Sequence, residues 1–213
     1  MKELRIKVCG MKYPSNIEEV AQLKPDFMGF ILYKGSPRYV SFEGTRKLTK
    51  YVPSAIIKVG VLVNEPFDKA LTIADSGIFD LLQLHGNESV DYCSRLSSRI
   101  GIIKAFSVSD TLPESLSEYQ QFCKLFLFDN AGKKYGGTGE MFNHRILSGY
   151  SLDTGFILSG GISASDPGYY KTINYKCMSG VDLNSRFEIK PGMKNIELLK
   201  NFINKLRGNE VID

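Results

Sequence analysis

Short apolar segments recur along this chain of 213 residues, and amphipathic segments separate them. Each apolar segment is rich in β-branched residues, leucine or phenylalanine, which is typical of a buried strand. The eight segments span residues 4–8, 27–32, 57–63, 81–84, 102–106, 125–128, 156–158 and 178–183. The pattern therefore predicts eight strands with a helix-forming segment after each.

Helix-start signals support this alternation. Residues 15–18 (Ser-Asn-Ile-Glu) and 163–166 (Ser-Ala-Ser-Asp) have the capping-box pattern, and Pro66 stands at a first-turn position. The last segment repeats apolar residues at helical spacing, namely Ile196, Leu199, Phe202, Ile203 and Leu206. We expect this last helix to close the ring.

Eight strand–helix units favour an α/β fold, a single (β/α)8 TIM barrel whose one domain spans residues 1–213. The alternative architecture is an open, doubly wound sheet. That fold usually carries a Gly-x-Gly-x-x-Gly motif after its first strand, and this chain has none there.

Composition narrows the choice of function. The chain has 27 Lys and Arg against 23 Asp and Glu, a formal charge of +4, and no long run of like charges. Such dispersed charge indicates a solvated surface that attracts small anions, so we expect no nucleic-acid partner. No segment approaches the ~20 apolar residues that span a bilayer, and the first residues lack a signal-peptide core. We therefore expect a cytoplasmic protein with no membrane partner.

Cysteine and histidine usage argues against a metal site. Four cysteines lie far apart without a Cys-x-x-Cys pair, and only two histidines are present. In a reducing compartment these cysteines should be free thiols. The sequence predicts no metal ligand set of the zinc type.

Two predicted strands end in a residue that can transfer protons. Cys9 closes the first strand and Asp129 the sixth, each where the strand gives way to a loop. Residues at the carboxyl ends of barrel strands face the active site. A thiol and a carboxyl are sufficient for acid–base catalysis, which makes both residues candidate catalytic groups. A buried free cysteine and a turn-capping aspartate are the alternatives that the residues alone leave open.

Strand alternation predicts which other polar side chains accompany them. If Cys9 points into the barrel, Lys7 does so too, and Gln83 and His85 share one face of the fourth strand. We expect a polar cluster inside the upper end of the barrel. A purely structural cluster is the alternative, since every buried polar group needs a partner.

Glycine-rich loops follow two of the strands. Ser159-Gly160-Gly161 follows the seventh strand, where glycines let backbone N–H groups approach a phosphate. A tight turn is the simpler alternative. After the eighth strand, Arg186 offers a bidentate contact to the same anion. The segment Tyr135-Gly136-Gly137-Thr138-Gly139 predicts a mobile lid or a second close backbone approach.

Six motifs occur in order along the chain, and a Pro191-Gly192-Met193-Lys194 segment precedes the last helix. The motifs are Lys7-Val8-Cys9-Gly10-Met11, Gly29-Phe30-Ile31 with Ser36-Pro37-Arg38-Tyr39-Val40-Ser41, Gly60-Val61-Leu62-Val63-Asn64, Gln83-Leu84-His85-Gly86, Tyr135-Gly136-Gly137-Thr138-Gly139 and Leu158-Ser159-Gly160-Gly161. Together they resemble the phosphoribosylanthranilate isomerase family of tryptophan biosynthesis. The resemblance implies a cofactor-free Amadori rearrangement of a small phosphosugar, N-(5-phosphoribosyl)anthranilate, to 1-(2-carboxyphenylamino)-1-deoxyribulose 5-phosphate.

The resemblance also implies roles for individual residues. Cys9 matches the family's general base and Asp129 its general acid, so Asp129 must react protonated and Cys9 must lose its proton. Lys7, about 6 to 7 Å below Cys9, is a candidate for stabilising the thiolate. A structural lysine in a lower layer of the barrel is the alternative.

The remaining matched positions imply substrate contacts. Arg38 matches the position that grips the anthranilate carboxylate, although any single surface arginine more often has no such role. His85 and Asp182 match inward polar positions in support of catalysis. The positions in the phosphate loops are Gly160, Gly161, Ser185 and Arg186.

One departure stands out, because the family usually reads Ser-Ser-Gly-Val-Glu where this chain has Asn184-Ser185-Arg186-Phe187-Glu188. An arginine thus replaces a glycine at a phosphate loop, and the phosphate contacts there must differ. Two other functions stay open, another phosphosugar isomerase or epimerase barrel and a non-catalytic barrel that binds a phosphorylated ligand. The pair of Cys9 and Asp129 favours the isomerase over both. We expect a monomer or a homodimer.

Overall fold

The computed structural model describes residues 3–130, 144–165, 167–173 and 175–208. Eight parallel strands form a closed barrel in chain order, and the eighth pairs with the first. The strands are β1 (Arg5–Cys9), β2 (Phe27–Ile31), β3 (Ile57–Leu62), β4 (Leu81–Leu84), β5 (Gly101–Val108), β6 (Leu125–Asn130), β7 (Phe156–Leu158) and β8 (Met178–Leu183). The predicted (β/α)8 barrel is confirmed, and each predicted strand overlaps an observed one.

Seven α-helices connect or follow these strands in the described part of the chain. They are α1 (Pro14–Gln22), α2 (Phe42–Leu48), α3 (Phe67–Asp75), α4 (Val90–Ser97), α5 (Leu116–Tyr119), α6 (Pro167–Thr172) and α7 (Ile196–Arg207). Short 3-10 helices lie at Thr49–Tyr51, His144–Gly149 and Ser185–Phe187. The described portion of the β6–β7 connection, residues 144–155, contains the 3-10 helix His144–Gly149. Among the described residues, no helix combines the length and the apolar character needed to cross a bilayer.

A small hairpin separates β8 from the last helix. Its antiparallel strands are β9 (Glu188–Lys190) and β10 (Met193–Lys194), and Gly192 takes a positive φ of 84° in the turn between them. The hairpin carries Glu188 and Lys194, whose side chains are both nearly buried. It therefore brings two charged groups from the end of the chain towards the barrel.

The core has two layers that follow the strand alternation. Ile6 and Val8 of β1 and Phe126 and Phe128 of β6 point outward and pack in one cluster with the helices. A second cluster fills the barrel interior and consists of Phe27, Val59, Ile103, Ala105, Leu125, Leu127 and Ile157. Inward and outward residues therefore alternate along β1 and β6, as strand geometry requires. Since the apolar filling occupies the interior, the polar inward residues are left at its upper end.

The first helix starts differently from the prediction. It begins at Pro14 after Tyr13, and no side chain caps it, so the predicted capping box at residues 15–18 is wrong. Proline suits the first turn because its fixed φ matches a helix and its missing N–H is not needed there. Asn16 instead turns inward, where its Oδ1 accepts from Lys194 N at 2.7 Å and its Nδ2 donates to Lys194 O at 3.0 Å. The amide thereby ties α1 to β10.

The other two helix-start signals fare differently. Pro66 directly precedes α3 instead of standing inside its first turn. The second predicted capping box precedes α6, which begins at Pro167, but its Asp166 lies outside the described residues. The last helix is confirmed, and the Asn195 side chain caps it by accepting from Leu198 N at 3.1 Å.

The barrel closes between β1 and β8 through a buried ion pair. Lys7 stands opposite Asp182 in the register, and their Nζ and Oδ1 atoms are 2.9 Å apart. A glycine is needed two pairs below, opposite Arg5, because a Cβ atom at Gly180 would collide with the carbonyl oxygen of that residue. Close backbone approach and charge pairing thus act at the same seam.

We predict that Asn16→Ala lowers the free energy of unfolding by about 2 to 3 kcal/mol, because it leaves the buried N–H and C=O of Lys194 without partners. Urea denaturation followed by circular dichroism measures the change. Asn201→Ala, at an exposed position of α7, is the matched control and should change stability by no more than about 0.5 kcal/mol. Equal effects of the two substitutions would show that the tie between α1 and β10 contributes nothing.

Candidate active site

An open pocket lies at the carboxyl ends of the strands. Eight of the nine predicted site residues line it, namely Cys9, His85, Asp129, Gly160, Gly161, Asp182, Ser185 and Arg186. They come from the ends of β1, β6 and β8 and from the loops after β4, β7 and β8. This is the end of the barrel at which enzymes of this architecture carry their active sites. The ninth predicted residue, Arg38, is not among the lining residues.

Cys9 is the last residue of β1, and its thiol is only 3% exposed. Its register partner on β2 is Gly29. A Cβ atom at Gly29 would lie 2.7 Å from the Cys9 sulfur, closer than a real side chain can approach. The thiol therefore occupies space that only a glycine on the neighbouring strand leaves open.

A buried lysine and carboxylate lie next to Cys9. The Lys7 ammonium donates to Asp182 Oδ1 at 2.9 Å and interacts electrostatically with Cys9. Asp182 also accepts from Ser159 Oγ at 3.5 Å. Burial alone would lower the pKa of Lys7, but Asp182 raises it above its ordinary value, so the ammonium stays charged. Lys7 thus supplies a permanent positive charge inside the barrel.

The Cys9 thiol is held mainly in its protonated form. Burial raises the pKa of Cys9, Lys7 opposes that rise, and Asp182 adds to it. The net direction is upward, because burial outweighs the opposing effect of the Lys7 charge. Lys7 therefore fills both roles that the sequence left open: it favours the thiolate over what burial alone would allow, and it forms the structural ion pair.

Asp129 belongs to a short relay of polar side chains. Its Oδ2 lies 3.3 Å from His85 Nε2, and its Oδ1 accepts from Asn130 N at 2.9 Å. Gln83 Nε2 lies 2.7 Å from His85 Nδ1. With the amide in this orientation, Nδ1 accepts and the imidazole directs its Nε2–H at the carboxyl of Asp129.

Gln83 has a side-chain oxygen that accepts no hydrogen bond from the described residues. Its Oε1 is buried and has no hydrogen-bond partner among the residues that the structure describes, although the residue lines the pocket. An unpartnered buried amide oxygen costs free energy unless a ligand or water fills it. Its position suits a hydroxyl of a bound molecule.

A buried ion pair behind β4 and β5 holds the backbone on both sides of His85. Lys104 Nζ donates to Gly86 O at 2.8 Å and to Leu84 O at 3.3 Å, and it pairs with Glu88 Oε2 at 3.1 Å. Glu88 in turn accepts from Gly86 N at 3.0 Å. The sequence analysis missed this support. The available signal was Lys104 itself, a lysine inside an otherwise apolar strand.

Two successive glycines shape the loop after β7. Gly160 and Gly161 have φ values of +76° and +74°, which other residues rarely adopt. A Cβ atom at Gly160 would stand 2.6 Å from Asn130 N and 2.8 Å from Asp129 Oδ1. The loop can therefore pass directly beside Asp129, and its backbone N–H groups can approach an anion in the pocket.

The loop after β8 forms another part of the wall. Ser185 and Arg186 lie in the 3-10 helix Ser185–Phe187 and line the same pocket as the glycine pair. Arg186 is exposed, whereas Phe187 is fully buried and anchors the turn. The arginine that departs from the family pattern therefore stands at the pocket rim.

Arg38 is engaged by a carboxylate of the protein itself. Its Nε lies 2.9 and 3.0 Å from the two oxygens of Glu188, and its Nη2 lies 2.7 Å from Oε2. The stem of Arg38 crosses the residue after Cys9, because a Cβ atom at Gly10 would lie 2.6 Å from Arg38 Cδ. Its assignment as a substrate clamp stays a prediction. The sequence analysis missed Glu188 and Lys194 as parts of this site.

Two sequence-based expectations concern parts that the structure does not test. The Tyr135–Gly139 segment, which suggested a lid, lies outside the described residues. For metals, the described ranges contain no group of three or more His, Cys, Asp or Glu side chains arranged to hold an ion.

Comparison with known proteins gives one consistent result. The family model for N-(5'-phosphoribosyl)anthranilate (PRA) isomerase matches residues 6–205. The N-(5'-phosphoribosyl)anthranilate isomerase of Parabacteroides distasonis is 42% identical over 204 residues, which cover 94% of this chain and 92% of that protein.

Solved structures agree with the sequence matches. Phosphoribosyl anthranilate isomerase from Thermotoga maritima is 31% identical with a TM-score of 0.83, covering 96% of this chain and 99% of that one. A crystal structure of phosphoribosyl anthranilate isomerase in complex with reduced 1-(o-carboxyphenylamino)-1-deoxyribulose 5-phosphate is 28% identical, with a TM-score of 0.78 and coverage of 96% and 99%. The chain belongs to the N-(5'-phosphoribosyl)anthranilate isomerase family.

Proposed function

We propose that this protein isomerises N-(5'-phosphoribosyl)anthranilate to 1-(2-carboxyphenylamino)-1-deoxyribulose 5-phosphate, with Cys9 as general base and Asp129 as general acid. The observation that carries the proposal is one pocket lined by a thiol, a carboxyl and a glycine turn of positive φ. Its family relatives are named for this reaction, and one was crystallised with a reduced form of the product. These similarities favour the isomerase over another phosphosugar barrel and over a non-catalytic binding barrel.

The reaction begins at the ring oxygen of the ribose. Asp129 donates a proton to that oxygen while the anthranilate nitrogen pushes its lone pair onto C1, which opens the ring to an iminium ion. Asp129 is suited to this step because it lies at the pocket wall, hydrogen-bonded to His85 and bordered by Gly160. His85 keeps the carboxyl oriented through the acid step.

The second step takes place at C2. The Cys9 thiolate removes the C2 proton, and the electrons of that bond neutralise the iminium to give an enolamine. The enolamine then takes a proton at C1 and loses one from the C2 hydroxyl, which yields the ketone. Every proton removed is returned, so the change is an isomerisation that needs no co-reactant.

The two anionic ends of the substrate orient it in the pocket. Gly160, Gly161, Ser185 and Arg186 suit the phosphate, because backbone N–H groups and a guanidinium stand at one part of the wall. Arg38 suits the anthranilate carboxylate. The cytoplasmic location and the monomeric or homodimeric state stay predictions.

We predict that Cys9→Ser and Asp129→Asn each lower kcat by about 10²- to 10⁴-fold, since each removes a proton-transfer group and leaves the anion contacts in place. Loss of anthranilate fluorescence measures turnover, and titration with the reduced product analogue measures binding. Cys177→Ser and Asp153→Asn, which change the same residue types away from the pocket, are the controls. Near-normal turnover in either pocket variant would remove that residue from the mechanism.

A second prediction concerns pH. Because burial raises the pKa of Cys9, the thiolate fraction grows only as the pH passes the ordinary value for a thiol, and reactivity should increase in the same range. Alkylation of Cys9 by iodoacetamide without substrate, followed by peptide mass spectrometry, measures this directly. The partly exposed Cys177 provides an internal comparison in the same samples. Full reactivity of Cys9 already at neutral pH would contradict the upward shift.

A third prediction tests the arginine that departs from the family pattern. Arg186→Gly restores the usual family residue and should weaken binding of the reduced product analogue by about 1.5 to 3 kcal/mol, because a charge-assisted contact to the phosphate is lost. Isothermal titration at two salt concentrations should show a shallower salt dependence as well. Lys50→Gly removes one positive charge at an exposed position outside the pocket and is the control. An unchanged dissociation constant and salt slope would leave the phosphate to the glycine pair and Ser185.

A further inference from the structure

Arg38, Glu188 and Lys194 form a cluster of charged side chains that the acid–base mechanism does not use. Glu188 lies between Arg38 and Lys194, and its Oε1 is 2.7 Å from Lys194 Nζ. The Lys194 side chain is fully buried, and those of Glu188 and Arg38 are 4% and 10% exposed. Burying charges in this way is costly unless each one is paired and hydrogen-bonded. This arrangement calls for a reason beyond packing.

Glu188 is fixed from several sides. It accepts from Arg38 Nε and Nη2, from Lys194 Nζ and from Gly192 N at 3.1 Å. Lys194 is itself held by Asn184 Oδ1 at 2.9 Å and, through its backbone, by the Asn16 amide. The carboxylate therefore has little freedom to rotate. Although burial opposes ionisation, Arg38 and Lys194 keep the pKa of Glu188 below its ordinary value, so it stays charged at neutral pH.

Glu188 occupies one edge of the Arg38 guanidinium. A guanidinium offers a side edge, made of Nε and one Nη, and an end edge, made of both Nη atoms, and each can hold a carboxylate bidentately. All three contacts to Glu188 use Nε and Nη2, which is the side edge. In the described part of the chain, Nη1 makes no hydrogen bond. The end edge therefore remains available for a second carboxylate.

Arg38 also borders the pocket through its neighbours. Its backbone N donates to Ser36 Oγ at 3.1 Å, and its stem passes over Gly10, the residue after Cys9. Ser36 and Cys9 both line the pocket. Arg38 is therefore adjacent to the part of the pocket wall that contains the thiol.

The charge balance points the same way. When Arg38 and Lys194 are protonated and Glu188 is ionised, the three side chains together carry two positive charges and one negative charge. A bound carboxylate would bring this cluster to neutrality. Because the three side chains are nearly buried, that attraction is stronger than it would be at an exposed arginine.

We propose that Glu188 is a positioning residue that fixes the side edge of Arg38, with Lys194 as its anchor, so that the end edge receives the anthranilate carboxylate of the substrate. The inference rests on the proposed function and deepens it. Glu188 does not touch the substrate. It orients Arg38, and Arg38 in turn favours a substrate whose aromatic ring carries a carboxylate.

The test compares two ligands that differ only in that carboxylate. One is reduced 1-(2-carboxyphenylamino)-1-deoxyribulose 5-phosphate, and the other is the corresponding compound made from aniline. Glu188→Gln keeps the shape and removes the charge. We expect it to weaken the carboxylate ligand about tenfold, the scale of one charge-assisted hydrogen bond, and to leave the aniline ligand nearly unchanged. KM should rise more than kcat falls.

Three further variants make the comparison specific. Arg38→Ala should remove the preference for the carboxylate ligand, and adding Glu188→Gln to it should change the preference no further. Glu188→Asp, which keeps the charge on a shorter arm, should restore part of the preference and serves in place of Glu188→Gln if that variant does not fold. Glu43→Gln alters an exposed pair with Arg46 and should change neither ligand.

Each outcome separates this inference from the proposed function. If Arg38→Ala loses the preference but Glu188→Gln and Glu188→Asp keep all of it, the positioning role is overturned while the reaction stands. Equal weakening of both ligands would also overturn it, since that is the result of a merely structural change. If the unaltered protein does not convert phosphoribosylanthranilate, the proposed function fails, whatever the ligand comparison gives.

Discussion

The buried ion pair of Lys7 and Asp182 is the interaction on which both the closure of the barrel and the environment of the site depend. It joins the first strand to the eighth at the register pair where they meet. A slip of one residue would turn Lys7 towards the apolar layer under the helices. An unpaired buried charge there would cost about 3 to 5 kcal/mol. Cys9 stands two residues further along the same strand, so its position and its electrostatic surroundings both follow from this pair.

The barrel was predictable because its signal is local. Phe126, Leu127 and Phe128 alternate between the outer and the inner core. The seven other strands are likewise recognisable in the sequence as short apolar segments. Helix starts were less predictable where a side chain had a stronger partner elsewhere. Asn16 sits in a capping-box pattern, but its amide pairs with the backbone of Lys194, which no local pattern reveals.

In the candidate site, too, residues with a local sequence signal were predictable, whereas distant partners were not. Cys9, Asp129 and the Gly160–Gly161 turn each follow a strand, and a barrel brings all such positions to one end. The partner of Arg38 could not be found in this way, because Glu188 lies 150 residues away and reaches it through a hairpin. With 27 basic and 23 acidic residues in the chain, sequence alone does not reveal which charges pair. The Arg38–Glu188 pair forms only when closure of the barrel places β8 and the following hairpin beside Arg38.

The hairpin after β8 has a consequence for how the protein is made. Asp182, Glu188 and Lys194 belong to the last segment of the chain, whereas Cys9 and Arg38 belong to the first. During synthesis, β1 leaves the ribosome with its outer edge unpaired and with Lys7 lacking its carboxylate, and both persist until the eighth strand arrives. The charges around Cys9 and Arg38 are complete only after the last segment of the chain has been made. A nascent chain that stops short of β8 holds the thiol and the arginine but none of these three charged groups that surround them.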